Sequence, residues 1–146
     1  MEYMEIITKD AKETQKIGSF LAEEIKKEKK IKNKAVIIAL EGDLGGGKTT
    51  FVQGFTKGLG LKDNITSPTF VILKKYEISN LGLYHIDCYR IKDEDLLELG
   101  FNEIINNDKN IIIIEWAERV KKILPKNTFW LKFEYLDKNK RRIIIK

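Results

Sequence analysis

The sequence predicts an α/β fold: one domain with a mixed, partly parallel β-sheet, flanked by helices and extended by antiparallel hairpins. The chain has 146 residues, close to the usual single-domain size of about 150 residues. Two runs, 35–40 and 111–114, are almost wholly apolar and β-branched, which is typical of strands covered on both faces. A glycine cluster and then a helical pattern follow the first run. We therefore expect a single domain over residues 1–146.

The elements before the glycine cluster begin with a short apolar run at 3–8, which predicts a strand. Asp10, with Glu13 three residues later, forms a capping box and predicts that a helix begins there. Four apolar residues recur on one face of that helix and are expected to be buried: Ile17, Phe20, Leu21 and Ile25. The apolar strand 35–40 comes next.

After the cluster, the pattern is helical from Lys48, with Phe51, Phe55 and Leu59 on one side and Gly58 and Gly60 near the end. Runs 70–78 and 81–88 predict a hairpin, and 93–99 predicts a helix. Run 111–114 predicts a buried strand that ends in Glu115, and a short helix over 117–124 is stopped by Pro125. Runs 129–135 and 141–145 predict a last hairpin.

Composition limits the classes of function. There are 27 Lys and Arg against 22 Asp and Glu, a net charge of +5, which favours a polyanionic partner such as RNA only weakly, because the lysine-rich stretch 26–34 is more simply a solvated helix end. One cysteine and one histidine exclude an internal disulfide and cysteine-rich or histidine-rich metal centres. The sequence shows no signal peptide or membrane span, so we expect a cytoplasmic protein.

The strongest chemical signal is the segment 42–49, Gly-Asp-Leu-Gly-Gly-Gly-Lys-Thr. It matches G-x-x-x-x-G-K-[ST] between a strand and a helix, the phosphate-binding loop or P-loop. In such a loop, backbone N–H groups surround phosphate oxygens, the lysine pairs with the β- and γ-phosphates, and the Ser or Thr hydroxyl ligates Mg²⁺. We therefore expect a nucleoside triphosphate with Mg²⁺, held by Lys48 and Thr49.

Two acidic residues at strand ends are candidates for the chemistry around that loop. Glu115 ends the second apolar run and is expected at the metal, either directly or through a water molecule. In the segment 83–90, strand alternation places His85, Asp87 and Tyr89 on one face. Asp87 could orient or deprotonate the attacking water with assistance from His85. The alternative is that this face is only the solvated side of a half-exposed strand.

Other features of the sequence are weaker indications of function. The segment 66–69, Thr-Ser-Pro-Thr, has the composition of a switch loop. Trp116 either faces the nucleotide or a partner, or is half-buried and packs in the protein. The sequence has no Asn-Lys-x-Asp motif, which reads guanine, so ATP is the expected nucleotide in preference to GTP. Arg90 and Arg119 are the candidates in the middle of the chain for stabilising negative charge during the reaction. An arginine-rich lid is absent from the sequence, which argues against a small-molecule kinase.

Four segments together resemble the TsaE (YjeE) family, and the resemblance covers nearly all of the chain. They are residues 42–50, then Ser67-Pro68-Thr69-Phe70, then His85-x-Asp87-x-Tyr89-Arg90, and then Glu115-Trp116-Ala117-Glu118. One residue differs, because Gly46 stands where the family commonly has alanine.

The resemblance implies a slow ATPase of bacterial tRNA N6-threonylcarbamoyladenosine biosynthesis. Its partners would be a TsaD–TsaB complex, which modifies adenosine 37, and it would meet tRNA only through that complex, with no membrane or DNA partner. Two alternatives stay open: a non-hydrolytic assembly factor that responds to nucleotide, and a small-molecule P-loop kinase. Direct tRNA binding by the basic surface is a further possibility.

The predicted site divides by role. Lys48, Asp87 and Glu115 would be catalytic, Thr49 and Glu115 would hold Mg²⁺, and His85 and Arg90 could assist. Nucleotide would be bound by Asp43, Leu44, Gly45, Gly46, Gly47, Lys48, Thr49, Thr50 and Trp116. Thr66, Ser67 and Thr69 would form the switch-like loop.

Overall fold

The structure is a computed structural model that describes residues 3–31, 34–43, 45–62 and 72–146. Within these residues the strands are β1 (Met4–Thr8), β2 (Val36–Gly42), β3 (Leu73–Ile78), β4 (Leu81–Asp87), β5 (Asn110–Glu115), β6 (Phe129–Tyr135) and β7 (Arg141–Ile145). The helices are α1 (Ala11–Ile31), α2 (Lys48–Leu59), α3 (Asp93–Glu98) and α4 (Phe101–Ile105), with a 3₁₀ segment at Ala117–Ile123.

The strands form one mixed sheet in the order β1-β7-β6-β2-β5-β4-β3. The four central strands, β6, β2, β5 and β4, are parallel, whereas β3, β7 and β1 are added antiparallel. Because parallel strands end at the same edge, the carboxyl ends of β2, β4 and β5 meet there. Glu115 is in register with Leu40 of β2 on one side and with Asp87 of β4 on the other.

Both faces of the sheet are covered, which explains the nearly continuous apolar strands. Ile111 and Ile113 face a cluster that includes Phe51 and Phe55 of α2, whereas the other face packs residues of α3, α4 and the 3₁₀ segment. All four isoleucines of 111–114 are fully buried. Strand alternation therefore points Glu115, His85 and Asp87 toward the α2 side.

Helices α1 and α2 approach each other closely through glycines. A Cβ atom at Gly54 would lie 2.0 Å from the carbonyl oxygen of Gln15, and one at Gly18 would lie 2.3 Å from that of Phe51. Gly58 lies near the end of α2, as predicted, and it is also part of this contact, since an added Cβ would be 2.8 Å from Ala22 Cβ. Gly60 does end the helix, with φ +102°.

The predicted fold class is confirmed, and most elements match. The Asp10 half of the capping box forms, with the Glu13 N–H donating to Asp10 Oδ1 at 2.9 Å, whereas Glu13 Oε1 accepts the N–H of Lys9 at 2.7 Å. Both hairpins are present. Two details were wrong: Phe20, expected in the core, is 65% exposed, and α4 was not predicted. Residues 70 and 71 of the predicted third strand lie outside the described residues. None of the described helices is long and apolar enough to cross a membrane.

Candidate nucleotide-binding site

The glycine-rich loop follows β2, and its glycines are required by its geometry. Gly42, Gly45 and Gly47 have φ of +122°, +74° and +98°, a region that glycine adopts without a steric penalty. At Gly42 a side chain is also excluded by space, since a Cβ atom would lie 2.0 Å from the Phe133 carbonyl oxygen. The loop turns back on itself through a Gly46 N–H to Asp43 carbonyl bond of 3.0 Å and leads into the first turn of α2.

Lys48 opens α2, and its ammonium lies at the mouth of the loop. Its Nζ donates to the carbonyl oxygens of Gly42 at 2.7 Å and Asp43 at 2.8 Å, and it lies 4.0 Å from the centre of the Trp116 ring. Burial lowers the pKa of Lys48, while nearby carboxylates, Glu118 first and then Glu115, oppose that shift. An ammonium has three N–H donors, so two loop carbonyls orient the group and leave one donor for a ligand.

A chain of hydrogen bonds joins α2 to β5 and β4 beside Lys48. Thr49 Oγ1 donates to Glu115 Oε1 at 3.0 Å, and Glu115 Oε2 is 2.6 Å from His85 Nε2. Glu115 is 2% exposed and His85 is fully buried. This burial rules out the alternative that His85 lies on the solvated face of a strand. His85 Nδ1 is also buried, and it has no hydrogen-bond partner among the described residues.

Trp116 turns sharply away from the end of β5 and covers Lys48. Its backbone has φ +58° and ψ +38°, a left-handed conformation that is uncommon for a bulky residue and often occurs at functional sites. Its ring centre lies 4.9 Å from that of Tyr89. The guanidinium carbon of Arg119 lies 5.0 Å from the centre of the Tyr89 ring and 5.6 Å from that of the Trp116 ring. Trp116 therefore contacts the loop lysine and also packs against the buried cluster on the other face of the sheet, as the packing interpretation expected. That it faces the nucleotide or a partner stays a prediction.

Three other predicted site residues, Asp87, Arg90 and Asp43, surround the group formed by Lys48, Thr49 and Glu115. Asp87 ends β4 next to Glu115, and its Oδ1 accepts the Tyr89 backbone N–H at 2.9 Å. Arg90 is exposed in the turn that follows. Asp43 contributes its carbonyl to Lys48, and its carboxylate accepts the Tyr135 N–H at 3.4 Å. Tyr89 lies beyond the end of β4, so the predicted strand face ends at Asp87.

A cavity of about 370 Å³ lies over the loop. It brings together most of the predicted binding residues with five that sequence reasoning missed. The predicted residues are Gly45, Gly46, Gly47, Lys48, Thr49, Thr50, Glu115 and Trp116, and the missed ones are Ala11, Thr14, Lys138, Asn139 and Arg141. The missed residues come from the start of α1 and from the β6–β7 hairpin. The basic composition of residues 138–142 is a sequence signal for the three hairpin residues.

Four predicted residues, Leu44, Thr66, Ser67 and Thr69, lie outside the described residues. The switch-like loop and the contact from Leu44 therefore stay predictions.

The oxygen atoms of Thr49 and Glu115 fit a magnesium ion that also binds phosphate. Mg²⁺ prefers oxygen ligands and is usually held by one or two protein groups together with substrate phosphates and water. Within the part of the chain that is described, no group of three His, Cys, Asp or Glu side chains is placed to hold a metal by itself. A hydroxyl and a carboxylate 3.0 Å apart beside Lys48 suit an ion that arrives with a nucleotide.

Comparisons with known proteins agree with this arrangement. Residues 8–143 match the family described as "Threonylcarbamoyl adenosine biosynthesis protein TsaE". A relative from Rickettsia felis, named tRNA threonylcarbamoyladenosine biosynthesis protein TsaE, is 41% identical over 93% of this chain and 75% of its own length. One of the same name from Treponema pallidum is 33% identical over 97% of this chain and 99% of its own length. The crystal structure of Bacillus subtilis YdiB superimposes with a TM-score of 0.69 at 29% identity, covering 99% of this chain and 84% of that one.

Proposed function

Because the chain belongs to the TsaE family, whose members take part in tRNA threonylcarbamoyladenosine biosynthesis, we propose that it binds ATP with Mg²⁺ and hydrolyses the ATP in support of that modification. The observation that carries the proposal is the contact between Thr49 and Glu115, 3.0 Å apart at the carboxyl end of the central strands and next to the loop lysine. This is the place where P-loop proteins hold the terminal phosphates and their metal.

The roles of the residues follow from their positions. The loop N–H groups and Lys48 would bind the phosphates, and Thr49 and Glu115 would hold the ion, which neutralises charge on the transferred phosphoryl group. Asp87, in register with Glu115, would orient or deprotonate the attacking water. His85 fixes the Glu115 carboxylate at 2.6 Å and acts through it, and Trp116 would cover the phosphate side of the site.

A slow reaction is expected from the chain alone. The guanidinium of Arg119 lies over the Trp116 and Tyr89 rings, and that of Arg141 donates to hairpin carbonyls. An arginine that contacts the transferred phosphate contributes about 10³ to 10⁵ in rate. We therefore propose that a TsaD–TsaB pair in the cytoplasm accelerates hydrolysis and supplies the contact with tRNA.

The test is the Mg²⁺-dependent rate of ATP hydrolysis, measured with the chain alone and with a cognate TsaD–TsaB pair. We expect a slow basal rate that rises with the pair and disappears in Lys48→Ala. Lys57→Ala is the matched control, because this lysine is exposed in the last turn of the same helix. It should hydrolyse ATP like the wild type. If Lys48→Ala binds and hydrolyses ATP as the wild type does, the assignment of the site is wrong.

Asp87→Ala separates hydrolysis from nucleotide binding. It should keep ATP affinity but lose hydrolysis, and a strain that carries it should lose the modified nucleoside. Full modification in that strain would favour the alternative, a nucleotide-dependent assembly factor that does not need hydrolysis.

A further inference from the structure

Glu118 lies three residues after Glu115, and the roles proposed above do not use it. It belongs to the 3₁₀ segment that follows β5, and its side chain is exposed. Its Oε2 nevertheless accepts the backbone N–H of Gly42 at 3.2 Å. Gly42 is the first residue of the phosphate-binding loop. The bond therefore joins the beginning of that loop to an element 76 residues further along the chain.

The pairing of the strands explains why Gly42 takes a side chain as its partner. The β2–β5 pairing ends with Leu40 opposite Glu115, and at Trp116 the chain then turns away with φ +58°. Gly42 lies two residues beyond the last pair, so β5 has no backbone carbonyl opposite its N–H. The Glu118 carboxylate supplies the acceptor that a longer β5 would have supplied.

The neighbouring bonds show what depends on this contact. The Gly42 carbonyl accepts a hydrogen bond from Lys48 Nζ at 2.7 Å. The N–H of Asp43, in the same peptide group, donates to the Phe133 carbonyl at 3.1 Å. The peptide group after Gly42 is therefore held on both sides, and the N–H before it is held by Glu118. Because glycine has the least restricted backbone, losing the Glu118 bond would free the rotation that directs the Gly42 carbonyl.

The charge of Glu118 acts on the same lysine. Burial lowers the pKa of Lys48, and Glu118 opposes that shift more than Glu115, Asp43 or Asp87 does. The carboxylate therefore helps to keep the side chain an ammonium while its hydrogen bond holds the loop.

We propose that Glu118 is a positioning residue, which fixes Gly42 at the start of the phosphate-binding loop and, through the Gly42 carbonyl, the direction of the Lys48 ammonium. The inference rests on the proposed function for the identity of the ligand. Glu118 does not line the cavity over the loop. It lines a separate cleft between the 3₁₀ segment and the start of α3. A loop held in its binding geometry before the ligand arrives loses less freedom on binding, so the role predicts tighter phosphate binding and not faster chemistry.

The first test needs no ligand and follows amide hydrogen exchange of Gly42 by NMR. Glu118→Ala should speed the exchange about fivefold, because the N–H loses its partner. Glu118→Gln keeps an acceptor oxygen and should exchange like the wild type. Glu94→Ala is the matched control. It removes an exposed carboxylate that lines the same cleft, and it should leave the exchange of Gly42 unchanged.

The second test measures ADP binding with Mg²⁺ by calorimetry and the kinetics of ATP hydrolysis. Glu118→Ala should raise the Kd for ADP and the KM for ATP about fivefold, as expected for the loss of one hydrogen bond. Its kcat should not change, because the interaction is the same before and during the reaction. Glu118→Gln should recover most of the affinity, and Glu94→Ala should match the wild type.

Unchanged exchange or unchanged affinity in Glu118→Ala would overturn the inference. A Glu118→Gln variant that binds ADP as weakly as Glu118→Ala would also overturn it, since the charge and not the hydrogen bond would then be responsible. A fall in kcat at constant KM would place Glu118 in the reaction itself and contradict a positioning role. A wild-type chain that binds no ADP would overturn the proposed function, whereas the exchange of Gly42 would still decide whether Glu118 holds the loop. Thermal unfolding of each variant without ligand verifies that its fold is retained.

Discussion

Glu115 connects three elements that the chain brings together from distant positions. Its two carboxylate oxygens contact Thr49 of α2 and His85 of β4, and the residue itself ends β5. A buried carboxylate is costly unless it is hydrogen-bonded, and both of its oxygens have partners. We therefore interpret His85 as a positioning residue that fixes the direction in which Glu115 presents its other oxygen.

His85→Phe should weaken the response to Mg²⁺ about 10- to 100-fold, as is usual when a partner of a metal ligand is removed. The variant leaves Glu115 Oε2 without its partner, so the carboxylate can rotate away from Thr49. The measurement is the Mg²⁺ concentration that half-saturates ATP hydrolysis, with ADP affinity in the absence of Mg²⁺ as the check that the loop is intact. His85→Gln retains a donor and should recover most of the response. An unchanged Mg²⁺ dependence in His85→Phe would contradict the positioning role.

At the scale of elements, the loop helix α2 is held in place by α1 as well as by the sheet. The two helices meet at Gly18, Gly54 and Gly58, where an added Cβ atom would lie 2.0 to 2.8 Å from the backbone or side chain of the other helix. This backbone contact fixes the distance between α1 and α2. It therefore also sets the position of Lys48 and Thr49 at the beginning of α2.

Gly54→Ala is expected to destabilise the protein, although alanine is the better helix former by about 1 kcal/mol. The new methyl group would lie 2.0 Å from the Gln15 carbonyl oxygen, and overpacking of this kind typically costs about 1–3 kcal/mol. Chemical denaturation measures the net effect. Lys12→Ala on the exposed face of α1 should change stability by no more than about 0.5 kcal/mol. A more stable Gly54→Ala would show that the helices are not in close contact.

The elements that were predicted correctly are those with a local signal. Runs such as 111–114 and the hairpin 129–145 follow from apolar content and alternation, and Lys48 and Thr49 follow from the spacing of one short motif. The prediction that Phe20 is buried was wrong, because the buried face of α1 is set by its glycine contact with α2. That contact involves residues far apart in the sequence. Arg141 was missed for the same reason, since only the order of strands in the sheet brings the last hairpin beside the loop.

At the scale of the whole molecule, the sheet separates two hydrophobic cores that support different parts of the structure. The core on the α2 side supports the loop and Glu115, whereas the opposite core packs α3, α4 and the 3₁₀ segment. Cys88 is fully buried in the opposite core, next to the end of β4. Its side chain packs in this core and does not line the cavity over the loop.

Burial, together with the negative charges of Asp87, Glu118 and Asp93, raises the pKa of the Cys88 thiol from 9.0 to about 12. Between those two values the unfolded chain loses this proton and the folded chain keeps it. The folded state therefore binds more protons, and the free energy of unfolding falls as pH rises through this range. The stabilising effect of the neutral thiol is fully present below pH 9, and its loss amounts to at most about 1.4 kcal/mol per pH unit.

Denaturation of the wild type and of Cys88→Ala, at pH values from 8 to 11, isolates this contribution. Lysines and tyrosines titrate in the same range in both proteins, so the difference between the two unfolding free energies contains the thiol alone. We expect the wild type to be the more stable protein at pH 8, because alanine leaves a small cavity, and its advantage should shrink steadily above pH 9. An advantage that stays constant to pH 11 would mean that the thiol ionises as readily in the folded protein as in the unfolded one. In that case the core on this side of the sheet would be open to water.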